Sequence, residues 1–105
     1  MAGTVASAGI AVIGAAVIVA AAGVGAASVV AQRVAGAADS AALAAADAAS
    51  GAVPGVPCDR AAEVASALGA RMRSCELVEL IATVSVSVPF GAFEVTATAR
   101  AGPPP

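Results

Sequence analysis

From Met1 to Ala31 no residue carries a charged side chain, and from Val5 onward the run is continuously apolar until Gln32 and Arg33 end it. About 27 residues at 1.5 Å per residue make a helix of roughly 40 Å, longer than the roughly 30 Å hydrocarbon core of a bilayer. A helix that is apolar all round must be buried, in lipid or in a large protein. A chain of 105 residues has room for one small domain and little in which to bury such a helix. The strongly apolar residues (Ile10, Val12, Ile13, Val17, Ile18, Val19, Val24, Val29, Val30) are spread thinly, and Gly9, Gly14, Gly23 and Gly25 work against both helix and insertion. Three readings compete: an uncleaved membrane anchor, a secretory signal peptide, and a buried core helix. The length favours the anchor. Small-residue sites around Ala20–Ala22 and Gly25–Ala27 keep the signal peptide open as the alternative, although no Lys or Arg precedes the apolar run.

Composition narrows the rest. Hydrophobic residues make up 60% of the chain, but most are Ala and Val, with two Phe and no Trp or Tyr. Such side chains bury little area each, so a compact fold of this size is expected to be marginally stable. The net charge is −2, from five arginines and seven acids, with no Lys and no His. A nucleic-acid partner would need a basic face that this balance does not supply. Without His there is no ready general base and no His-containing zinc site. The carboxylates are scattered, and Asp39 and Asp47, two turns apart on the stem helix, read as a solvated stripe rather than an acid pair. The expectation is a non-enzyme without cofactor or metal.

The chain divides at its punctuation. Residues 1–50 read as a transmembrane and stem helix. Beyond Arg33, Val34, Ala38, Ala41, Ala42 and Ala45 continue at helical spacing, and alanine favours helix. This extension is expected to carry helix contacts beyond the bilayer. Residues 51–57, "GAVPGVP", form a Gly/Pro hinge. Residues 58–102 read as an extracytoplasmic α+β module and 103–105 as a disordered tail. In the module Asp59 is an N-cap or first-turn acid for a short helix with Ala62, Ala65 and Leu68 on its buried side and Gly69 as its stop. The period then switches to two. A strand near Met72–Val78 precedes "LIATVSVSV", with Leu80, Ala82, Val84, Val86 and Val88 inward. "PFGA" (Pro89–Ala92) supplies a turn, and "FEVTATAR" places Phe93, Val95, Ala97 and Ala99 inward. The fold class is therefore α+β: a long N-terminal helix, then a short helix packed on a small three-stranded antiparallel sheet.

Two features remain as candidate sites. Cys58 and Cys75, at the start of the short helix and in the first strand, are too far apart for a CxxC motif. In a chain with an export-type N-terminus they favour a structural disulfide. Along the apolar span, Ser7, Ala11, Gly14, Ala21, Gly25 and Ser28 recur on one side, a pattern that lets helices approach closely in lipid and self-associate. A segment this rich in Ala and Gly also shows small residues on every face, which is the plainer reading of the stripe.

The stretch "AQRVAGAADSAALAAADAASG" and the later pattern of Cys58, "GAR", "SCEL", "ATVSVSV" and "ATARAG" resemble the TadE/TadG-like proteins of tight-adherence (Flp-type) pilus assembly systems. The likeness is nearest to the small actinobacterial TadE-like proteins of helicase and secretion neighbourhoods. It runs over nearly the whole chain. The resemblance implies a pilin-like arrangement, with a single-pass membrane helix and an extracytoplasmic module. It further implies a structural role as a minor pseudopilin, with the bilayer and other pilus or secretion-system membrane proteins as partners. One departure concerns processing. Family members place Glu at the fifth position after the processed glycine, whereas Ala8 stands at that place after Gly3. The positive-inside rule would put the Arg33 side in the cytoplasm; the disulfide and the family both imply the outside, and that orientation is the expectation here. The alternative function is a small secreted or anchored binding domain whose N-terminus is a cleaved signal peptide.

Overall fold

The computed structural model describes residues 2–104. It contains α1 (Ala2–Ala49), α2 (Pro57–Ala67), β1 (Arg71–Val78), β2 (Ile81–Phe90) and β3 (Phe93–Ala101). The strands form one antiparallel sheet in the order β1-β2-β3. The molecule measures 76 × 28 × 17 Å, a rod with a head along one end. The α+β class and the helix-on-sheet packing follow the sequence-based expectation.

Helix α1 is unbroken over 48 residues in spite of its glycines. It stops where Gly51 adopts a φ of 81°, a conformation that costs glycine nothing. Helix α2 begins with Pro57 in its first turn, where a missing N–H is harmless. Asp59 lies in that first turn but makes no capping hydrogen bond, and the N-cap position belongs to Val56. The end of α2 is well closed. The Ala70 amide donates to the Ala65 carbonyl at 2.8 Å and the Gly69 amide to the Ser66 carbonyl at 3.0 Å. With Gly69 at φ 76° this is a Schellman motif.

The buried side of α2 is set by Ala61 and Ala65 rather than by Ala62, Ala65 and Leu68. These two alanines lie one turn apart and seat α2 on α1 and β1. Leu68 comes after the last turn, where the chain is already bending toward Gly69, and is 46% exposed. In β2 the inward residues are Ala82, Val84, Val86 and Val88. Leu80 does not join them, because it sits in the two-residue turn Glu79–Leu80. Ser87, on the opposite face, is nonetheless only 2% exposed. It pairs with Arg71 and with Thr96, and the Arg73–Glu94 ion pair, 3.7 Å, joins the two outer strands across the face of β2. The turn between β2 and β3 is Gly91–Ala92 alone; Pro89 and Phe90 belong to β2 and pair with Glu94 and Phe93. Pro89 lies past the last β1 pair, Arg71↔Ser87, where a strand tolerates proline. Phe93, expected inward, lies on the same face as Val95, Ala97 and Ala99 but is 76% exposed, since the buried core ends at Val88 and the partly buried flank at Val95.

The second half of α1 is the largest part of the core. Val34, Ala37, Ala38, Ala41, Ala42 and Ala45 are buried together with Ala61, Ala65, Ala82, Val84, Val86 and Val88. The alanine face therefore packs on the chain's own sheet and on α2, and does not offer itself to a neighbouring helix as the sequence suggested. Alanine at these positions lets α1 lie close to the sheet. The hinge, with Gly51 and Gly55 both at positive φ, turns the chain back so that α2 returns along α1.

Candidate functional site

Two parts of the molecule carry whatever it does: the uncovered half of α1 and the head. From Gly3 to Val29 every residue of α1 is exposed. Val5, Ile10, Val12, Ile13, Val17, Ile18, Val19, Val24 and Val29 all lie between 61% and 75% exposed. None of its residues belongs to the core, so it is not the core helix of its own fold. The helix is long and apolar enough to cross a membrane. Burying nine such side chains is worth roughly 1.5–3 kcal/mol each, in total comparable to or greater than a small domain's whole stability of about 5–15 kcal/mol. A surface of that cost calls for cover by lipid or by protein, or for removal as a signal sequence.

The small-residue stripe lies within this uncovered segment. A side-chain methyl placed on Gly14 or Gly25 would meet nothing within 4 Å. Ala21 and Ser28 are likewise exposed. The Ser7 hydroxyl donates to the Gly3 carbonyl at 2.9 Å, one turn back, so it needs no partner on another helix. At 100° per residue, the stripe lies roughly opposite the face that Val34, Ala38, Ala41 and Ala45 present to the sheet. The head therefore rises from one side of α1 and leaves the stripe side clear.

Within the head, Cys58 and Cys75 are joined in a disulfide with a Cα–Cα distance of 5.9 Å and a sequence separation of 17. The bond ties the first turn of α2 to the middle of β1. The outer face of the sheet is polar, with a 2.6 Å hydrogen bond between the Ser85 and Thr98 hydroxyls across β2 and β3. Asp39 and Asp47 are both exposed on α1. Among the described residues no group of three or more His, Cys, Asp or Glu is gathered as a metal site would require. Two shallow grooves open on the head, one lined by Ser66, Gly69, Arg71, Ser87 and Glu94, the other by Leu43, Asp47, Ser50 and Pro103.

Sequence reasoning passed over the end of the β2–β3 hairpin. There the chain's two aromatic residues, Phe90 and Phe93, stand opposite each other in register. The available signal was "PFGAF" itself, in which two large apolar side chains flank a tight turn. Comparison of the chain with protein-family models, with curated proteins and with solved structures finds no match.

Proposed function

We propose that the chain is a structural subunit of an envelope assembly, a minor pseudopilin-like component of an Flp-type pilus or a related secretion apparatus. In this reading α1 crosses the membrane once, the head stands outside the cytoplasm, and the protein works by helix packing rather than by chemistry. The observation that carries the reading is the continuity of α1. One rigid helix has an uncovered apolar half as long as a bilayer is thick, and its other half is the core of the head. Force or position at the membrane passes directly into the head without a flexible joint. The disulfide supports an oxidising compartment for the head, and the clear side of α1, with its small residues, supports close contact with another helix.

Gly14→Leu and Gly25→Leu test this. Each places a bulky side chain in open space and improves apolarity, so membrane insertion is expected to persist or strengthen. Co-purification of partner membrane proteins from detergent extracts of the native host is expected to be lost. Equal recovery of partners with both variants, or none with the wild type, overturns the reading.

One observation favours a second reading, a small secreted or anchored binding domain with a cleaved signal peptide. The core begins only at Val30, so cleavage near Ala22–Ala27 would leave every buried residue in place. The N-terminal sequence of the protein recovered from its host separates the two.

A further inference from the structure

The head has two unlike ends. Strand β3 runs alongside α1 in the same direction, since Gly102 and Pro103 beyond its end line a groove with Leu43, Ala46, Asp47 and Ser50. Its nine residues reach back roughly 28 Å. About sixteen residues of helix, roughly 24 Å, separate Ala46 from Val30, the first residue of α1 packed against the core. The Gly91–Ala92 turn therefore stands level with the place where α1 passes from uncovered to covered, at Val30 to Arg33. Phe90 and Phe93 are at this end, with Phe93 largely in the open. So are Arg33 and, at the start of β1 opposite Ser87, Arg71 and Arg73. Glu94 is the acid among them, held by Arg73. Three arginines against one glutamate leave this end positive. The remaining two arginines face six acids, which makes the rest of the head negative within a chain of net charge −2.

We propose that this end of the head docks on the bilayer surface from which α1 emerges, with Phe93 and Phe90 entering the interface and Arg33, Arg71 and Arg73 meeting anionic lipid headgroups. The inference rests on the reading of α1 as a membrane span. An apolar tip with basic side chains set behind it matches an interface that is greasy below and anionic above. Two points of attachment, the helix and the hairpin tip, fix the head's rotation about α1. The small-residue side of α1, opposite the head, is then held in one direction within the membrane plane.

A single tryptophan reports on this, because the chain has neither Trp nor Tyr. The full chain carrying Phe93→Trp is reconstituted into phosphatidylcholine vesicles containing about one third phosphatidylglycerol, with and without brominated acyl chains. Val78→Trp, exposed at the opposite end of the sheet, is the reference. Docking predicts blue-shifted emission and bromine quenching for Phe93→Trp, with water-like emission and no quenching for Val78→Trp. Arg33→Gln and Arg71→Gln are each expected to lower the docked-to-free ratio about fivefold at low salt. Water-like, unquenched emission from Phe93→Trp in a chain that floats with the vesicles overturns the docking and leaves the membrane span standing. Failure to float overturns both. A shift of equal size in pure phosphatidylcholine overturns the role given to the arginines.

Discussion

Glu79 is the one residue other than glycine with a positive φ, 56°, among those described. It is the first residue of the two-residue turn between Val78 and Ile81, and a turn of that length needs left-handed backbone. A side chain there costs about 1–2 kcal/mol relative to glycine. Glu79→Gly is therefore expected to stabilise the head by about 1 kcal/mol, read as slower native-state hydrogen exchange at the β2 amides; unchanged or faster exchange contradicts it. The core is sensitive in the opposite sense. Ala41 is fully buried between α1 and the rest of the head, and Ala41→Leu adds three carbons where no space is left. A loss of about 1–3 kcal/mol is expected, whereas Ala35→Leu, on the exposed side of the same helix, should stay within about 0.5 kcal/mol. Equal effects from the two would mean that the alanine face is not packed as described.

At the level of elements, the head depends on its staple. Among the described residues only Val34, Val84 and Val86 are large and fully buried, which is little apolar area for a sheet and two helices. Closing a loop of 17 residues by Cys58–Cys75 contributes on the order of 3 kcal/mol. Replacing both cysteines by serine is expected to remove about that much and to release α2 from β1 first. Hydrogen exchange at the α2 and β1 amides checks this; protection unchanged in the serine variant would show that the alanine contacts suffice. The same elements show what the sequence made legible. Period-two alternation in "ATVSVSV" located β2 and its buried face, since a half-buried strand leaves no other pattern. Gly69 marked the end of α2, and the cysteine pair was identified from its setting. What misled was tertiary. Helical periodicity fits Ala62–Ala65–Leu68 as readily as Ala61–Ala65, because alanines at nearly every position remove the contrast between faces. Phe93 was placed inward by alternation alone, which gives the face of a strand but not how far the packed core extends along it. The alanine side of α1 gave no sign that its partner was the sheet some forty residues further on.

At the scale of the whole molecule, the two halves of α1 have different obligations. The first half contributes no residue to the core, while every buried residue among those described lies at Val34 or beyond, with Val30 packed partly against them. Loss of residues 1–27 removes no core contact, and it also removes the apolar surface that demands cover. The remaining chain, Ser28–Pro105, is expected to be a soluble monomer whose sheet amides exchange as slowly as those of the full chain, with a stability difference within about 0.5 kcal/mol. A cut eleven residues later, starting at Asp39, would delete Val34, Ala37 and Ala38 from the core. Removing three buried side chains and about three turns of helix costs several kcal/mol, enough to unfold a head of this size even with its disulfide intact. Amide exchange and chemical-shift dispersion of the two fragments distinguish these outcomes. If the longer fragment is unfolded, the uncovered half of α1 supports the head in a way its absence from the core does not suggest, for instance by holding the second half helical. If the shorter one folds, the alanine face is dispensable and the head's core is the sheet and α2 alone.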